Sequence, residues 1–377
     1  MRILSLACAL VFWNMHCQHG AAQAQTLDRC DPVIASPVNS LNSVLIHSLR
    51  SGDLPIQSVA ISDDGRRIAA GGNDRRVRVW ERVSGRLLME SAVLGGPLWQ
   101  VRFTKNSQRI IGWGPEGRDI NTRIWDIFNG SILGIRKTVI EVPTAASAFV
   151  IELITVNADR IGVFDFLQAQ PLFTWERAPY ELSAALAIGP NGPVVLSALK
   201  EARFIDRTGE RSLYPVPEFG KTLADSAMSP DGKTAFHQGA VWDVASGKQL
   251  YVIPNDPTGW GIHKARFSVD GQTLFLTYFY HIVAFEARSG RKISSMCGLT
   301  NSPPHATPSG DGQLIIAPTA DRGVGVWNVL TGSLAAKIAP SQGEIWSVDL
   351  SHDGANLVLG TDSGVIQVWK LFKSKLQ

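Results

Sequence analysis

No run of lysine or arginine dominates any part of this chain, whose formal charge is only +3 over 377 residues. The nearest approach is Lys370 to Lys375 near the C-terminus. A nucleic-acid or membrane-surface role calls for a concentrated basic face, so neither partner is expected. Long apolar runs are equally scarce. The one notable stretch, Ile3 to Trp13, is too short to span a bilayer. Helical periodicity is missing too, since no segment keeps apolar residues at i, i+3, i+4 and i+7 for long.

Catalytic signatures are also lacking. There is no Gly-x-Ser-x-Gly, no His-Glu-x-x-His, no Cys-x-x-Cys-His and no phosphate-cradling loop ending in Lys-Ser/Thr. The histidines beyond the N-terminal segment, His47, His237, His263, His281, His305 and His352, show no ligand spacing, so no metal and no cofactor are expected. One formal match to a dinucleotide pattern runs from Gly112 to Gly117. No helix is expected after it and Pro115 removes a backbone donor, so it reads as a long hairpin loop. Asp63-Asp64 reads as a turn and not as a cation site. A catalytic group assembled across distant segments stays open as the alternative.

What is present begins with residues 1–24, which read as a secretory signal peptide. Arg2 gives the positive start, Ile3 to Trp13 the apolar core, and Ala22-Gln23-Ala24 the small-x-small cleavage pattern. Export to the periplasm or beyond is the expectation. Cleavage would leave Cys30, in an N-terminal arm over 25–42, and Cys297. An oxidising compartment permits a disulfide between them; two unpaired thiols are the alternative.

From residue 43 onward a repeat appears. An apolar stretch followed by a polar turn and glycine recurs as Ile61-Ser62-Asp63-Asp64-Gly65, Met228-Ser229-Pro230-Asp231-Gly232, Phe267-Ser268-Val269-Asp270-Gly271 and Leu350-Ser351-His352-Asp353-Gly354. From Gly192 onward these glycines step by 40, 39, 41 and 42 residues. Weaker copies fall at Asn106-Ser107 and near 150–152. Downstream in each unit an alternating strand ends in an aromatic and a polar residue, as in Trp80-Glu81, Trp125-Asp126, Phe164-Asp165, Trp242-Asp243 and Trp327-Asn328. Such units read as four short antiparallel strands, with Asp-Gly supplying the positive φ of tight turns. A four-stranded sheet cannot bury both faces alone, and radial stacking solves that problem.

These Trp-Asp and Asp-Gly signatures resemble the WD-repeat family over residues 43 to 372. The resemblance implies an all-β propeller as a single domain over 43–377, its ring closed by pairing Ser43 to Ser48 with the last unit. Eight blades are counted, or seven if the third and fourth units merge. Asp74, Asp119 and Asp321, six residues before their tryptophans, match the family's structural aspartate. The Gly-His pair that usually partners it is absent, so the family's buried His–Asp–Ser/Thr–Trp network is not expected intact. Trp80, Trp125, Trp242, Trp327 and Trp369 are expected in the core.

The resemblance also implies a binding face where each first strand begins. Units eight, one and two bring Trp346 with Asp362, Gln57 with Asn73, and Trp99 with Arg118 to that face. Two tryptophans flanked by opposite charges have the composition of an interface hot spot. Trp packed between blades is the plainer alternative. The expectation is a monomeric exported scaffold for a protein partner. The alternative is an exported propeller enzyme, or a sensor with a small ligand in the central channel.

Overall fold

A computed structural model describes residues 41–373 apart from 105, 118, 139–150, 158–159, 166–169, 177–182, 190–191, 199–200, 216–225, 238, 254–260 and 300–305. Every regular element among the described residues is a β-strand. They form eight antiparallel sheets, seven of four strands and one of three. The first holds Ile56–Ile61, Arg67–Gly72, Val77–Glu81 and Leu87–Glu90, hydrogen-bonded in chain order. The second repeats the plan with Gln100–Phe103, Arg109–Glu116, Asp119–Asp126 and Ile132–Thr138. In the third, Ile151–Asn157, Arg160–Asp165 and Gln170–Glu176 are described, and the turn expected near 150–152 falls at the edge of the residues outside that description. Blades four to seven begin at the strands Ser183–Gly189, Ser226–Met228, Lys264–Phe267 and Thr307–Pro308, and the count of eight units stands. The architecture is a propeller of four-stranded blades.

The eighth blade joins the two ends of the fold. Its strands Ile345–Leu350, Asn356–Thr361 and Val365–Lys373 are completed by Leu41–Arg50, from the other end of the chain. That strand pairs antiparallel with the last one, from Leu41↔Lys373 to Arg50↔Val365. The pairing read over 43–48 is therefore present and longer. Blade eight then packs against blade one: Val358, Ile366 and Val368 share a core with Ile56, Val59, Ile68 and Trp80. Similar seams follow between blades one and two, five and six, six and seven, and seven and eight.

The repeated turn explains why the strands start where they do. In blade one Ser62 Oγ donates to Asp64 Oδ1 at 2.6 Å and accepts from the Arg67 amide at 2.9 Å. The same pair of bonds recurs at Ser229, Ser268, Ser309 and Ser351. Each serine fixes the hairpin between first and second strands, and each aspartate accepts the amide two residues on. Blade two uses Thr104 and Asn106 instead, with Ser107 taking the positive φ of 56°. Asp63-Asp64 is thus a turn.

The aromatic at the end of each third strand fills the seams. Trp80, Trp125, Trp242 and Trp327 are buried as expected, whereas Trp369, expected in the core, is half-buried and pairs with Leu45 of the first strand. Burying each such side chain contributes roughly 2–3 kcal/mol. Trp175 is buried as well, and Trp260 lies outside the described residues.

One expectation is overturned. Gly112 to Glu116 is not a loop: it continues the strand Arg109–Glu116, and the turn begins at Gly117, with a φ of 65°. Gly114 is there for proximity. A Cβ on Gly114 would lie 1.9 Å from the carbonyl oxygen of Pro97, whose segment crosses the strand end. Close backbone approach accounts for Gly114, side-chain crowding by Trp125 and Leu98 for Gly112, and a φ of +65° for Gly117.

Candidate interaction surface

The three blades named for the binding face are neighbours, and the backbone explains how their residues reach it. In blade one the first ladder slips between Ile56 and Ser58, leaving Gln57 as the unpaired extra residue. In blade eight it slips between Ile345 and Ser347, leaving Trp346. A bulge turns one side chain out of the alternation, so the same irregularity presents both residues on one rim. Trp99 stands just before Gln100–Phe103, its amide bonded to the Trp113 carbonyl at 2.9 Å. Trp99 is 40% exposed and Trp346 38%, while Trp80, Trp125, Trp242 and Trp327 lie in the core.

The flanking residues are fixed in different ways. Gln57 Nε2 donates to Asn73 Oδ1 at 3.0 Å, which pairs them between the two tryptophans. Asp362 Oδ1 accepts the Glu344 amide at 2.9 Å, and its own amide donates back to the Glu344 carbonyl at 3.0 Å. This tie holds the loop that leads into Trp346. Beside it, Asp321, Arg322, Lys337, Glu344 and Asp362 line a shallow groove between blades seven and eight. Arg118 lies outside the described residues.

The structural aspartates have found other partners. Asp74 is paired with the guanidinium of Arg78, which also donates to Glu90 Oε2 and Ser51 Oγ, both at 2.8 Å. Thr319 Oγ1 donates to Asp321 Oδ1 at 2.6 Å, and Lys337 closes on its other oxygen. In blade two Arg123, two residues before its tryptophan like Arg78, pairs with Glu116. The indole N–H groups of Trp125 and Trp242 are buried without an acceptor among the described residues. Among the described residues the family's network is therefore not closed at Trp125 or Trp242, and in blade one Arg78 holds the aspartate that histidine usually partners.

Cys297 is disulfide-bonded. Cys297 closes the outer strand Lys292–Cys297, and Cys30, read as its possible partner, lies outside the described residues.

A second cluster went unnoticed in the sequence. Arg102, Arg266 and Asp349 stand on the inner strands of blades two, six and eight. Asp349 Oδ2 accepts the Ile61 amide at 2.8 Å. Burial pushes the Asp349 carboxyl up, against the pull of that amide and of both arginines. Burial, aided by the like charge of Arg266, brings Arg102 down to about 10, still protonated at neutral pH. Arg102 Nε is buried without an acceptor among the described residues. Among the described residues no three His, Cys, Asp or Glu side chains converge as a metal site requires.

The fold and its repeated turn define a repeat-built propeller. The family profile described as "WD domain, G-beta repeat" matches residues 43–81 and 332–370. Each matched segment begins with an outer strand and runs through the three inner ones of the next blade, so Leu41–Arg50 plays for blade eight the part that Leu334–Ile338 plays for blade seven. The chain is also 27% identical over 139 residues to a WD repeat-containing protein of Synechocystis sp.. That match covers 35% of this chain and 39% of the relative, so the chain spans well under half the length of that protein. The chain carries WD repeats at these two places, on a fold of propeller blades.

Proposed function

We propose that this protein is an exported, non-catalytic scaffold that binds a protein partner through the rim of blades eight, one and two. The observation that carries this reading is the pair of half-exposed tryptophans, Trp99 and Trp346, at equivalent positions on either side of blade one. An exposed aromatic pair on a rigid scaffold is costly to keep in water and is the usual anchor of an interface. Gln57 and Asn73, held together between them, supply directional polar contacts. Export rests on the signal-like residues 1–24. The disulfide at Cys297 suits an oxidising compartment, where cleavage after Ala24 would leave Cys30 as its partner.

The test is a cross-linking capture from periplasmic extract with wild type and the Trp99→Ala/Trp346→Ala double variant, after circular dichroism has established that both are folded. A partner captured by wild type and lost in the variant is the expected result. A partner retained by the variant moves the site to another face, and capture of no protein removes the scaffold reading. A second reading, a sensor of a small ligand, is favoured by the ionisable side chains on the inner strands.

A further inference from the structure

Arg102, Arg266 and Asp349 occupy one rung of the propeller. Each stands two residues before the Ser or Thr of the repeated turn, in Arg102-Phe103-Thr104, Arg266-Phe267-Ser268 and Asp349-Leu350-Ser351. Their blades, the second, sixth and eighth, are not neighbours, yet the three charges act on one another. Side chains from non-adjacent blades meet only across the space that the inner strands enclose. Blades one and five place Ala60 and Ala227 at the same rung, so little side chain fills that space from those directions. All three charged residues keep part of their surface open to solvent while protein surrounds them.

Among the described residues two guanidinium groups act on one carboxylate, and burial strips water from both Arg102 and Asp349. The carboxylate is already engaged by the Ile61 amide at 2.8 Å, and Arg102 Nε has no acceptor among the described residues. A guanidinium presents a planar fork that suits the paired oxygens of an oxyanion, and low local dielectric strengthens that attraction. We propose that this cluster is a binding site for a small oxyanion, held by Arg102 and Arg266, with Asp349 limiting how tightly it is held. The site is internal, and it stands whether or not the outer rim binds a protein.

The experiment is titration of the folded chain with inorganic phosphate and, separately, with succinate. Thermal unfolding and calorimetry are the readouts, and sodium chloride matches the ionic strength throughout. Saturable stabilisation by either anion is expected, and the tighter of the two names the group that the site prefers. Arg102→Met and Arg266→Met should each weaken binding about tenfold or more, and the Lys variants, which keep the charge but lose the fork, by less. Asp349→Asn keeps an acceptor for the Ile61 amide and removes a like charge, so it should bind the anion about tenfold more tightly. A purely structural role for Asp349 predicts loss of stability without that gain. No saturable response to either anion overturns the proposal, as does a response that survives both Met variants.

Discussion

Ser226 Oγ lies 2.7 Å from His237 Nδ1 in the interior of the fifth blade. His237 is 1% exposed, and its Nε2 has no partner among the described residues. Burial lowers its pKa from 6.5 to about 4, so the folded protein holds it neutral. The unfolded chain binds the proton first, and the resulting stability is intact above pH 6.5 and lost as pH falls toward 4. The loss amounts to about 3 kcal/mol over that window. Asp64, Asp231, Asp243 and Asp353 are all held below 3.8, so their contributions fade at lower pH. Asp349, pushed up, acts in the opposite sense. Urea unfolding between pH 7.5 and 4.5 should show this slope in wild type. His237→Asn, which keeps a polar group facing Ser226 but cannot take the proton, should flatten it.

The Asp74–Arg78 pair is the replacement for the missing histidine, and it is testable as such. Both side chains are nearly covered, with 13% and 12% of their surface exposed. Arg78→Met would leave Asp74 with the Arg76 amide at 3.3 Å and no compensating charge. A destabilisation of about 3 kcal/mol is expected, since removing one member strands the other. The Asp74→Asn/Arg78→Met double variant should recover part of it, and a double-mutant cycle gives the coupling. Simple additivity of the two changes would remove the pair as a structural tie.

Two glycines separate conformational from steric demands. A Cβ on Gly65 would meet nothing within 4 Å, but its φ is +66°. Gly65→Ala should therefore cost about 1 kcal/mol, all of it from the backbone. Gly114 has no such φ; its Cβ would strike the Pro97 carbonyl oxygen at 1.9 Å. Gly114→Ala should cost about 3 kcal/mol, because backbone must move to accept it. Chemical denaturation of the two variants gives both numbers, and equal costs would contradict this division.

The repeat was readable because its determinants are local. A serine, an aspartate two residues on and a glycine in the left-handed region lie within one turn, so each copy declares itself in the sequence. The exposure of Trp99 and Trp346 was readable for a related reason, since position relative to the first strand decides it. The arginine tie was half visible: the aspartates could be placed, but the partner had changed from histidine to a residue two before the tryptophan. The Gly112 to Glu116 stretch misled because close approach by the Pro97 segment, a contact outside the local pattern, is what selects Gly114. The inner cluster was invisible. Arg102, Arg266 and Asp349 are far apart in the chain, and each alone looks like an ordinary polar residue on a strand.

The strand Leu41–Arg50 carries the last prediction. It pairs along its length with Val365–Lys373, the strand that would otherwise be the edge of blade eight. Leu41 and Leu49 pack into the adjoining cores, and Leu45 pairs opposite the half-buried Trp369. Removing the strand would leave a row of unpaired amides and carbonyls beside Trp369 and Phe372, which is a template for pairing with other chains. A chain begun at Ser51 should therefore self-associate on gel filtration and melt at lower temperature. A peptide of residues 41–50 supplied in trans should reverse that association, because the register is dictated by the last strand. His47 Nε2, 2.8 Å from the Val83 carbonyl oxygen, gives the strand a further anchor on blade one. A shortened chain that stays monomeric with unchanged thermal stability would mean that blade eight stands without its outer strand.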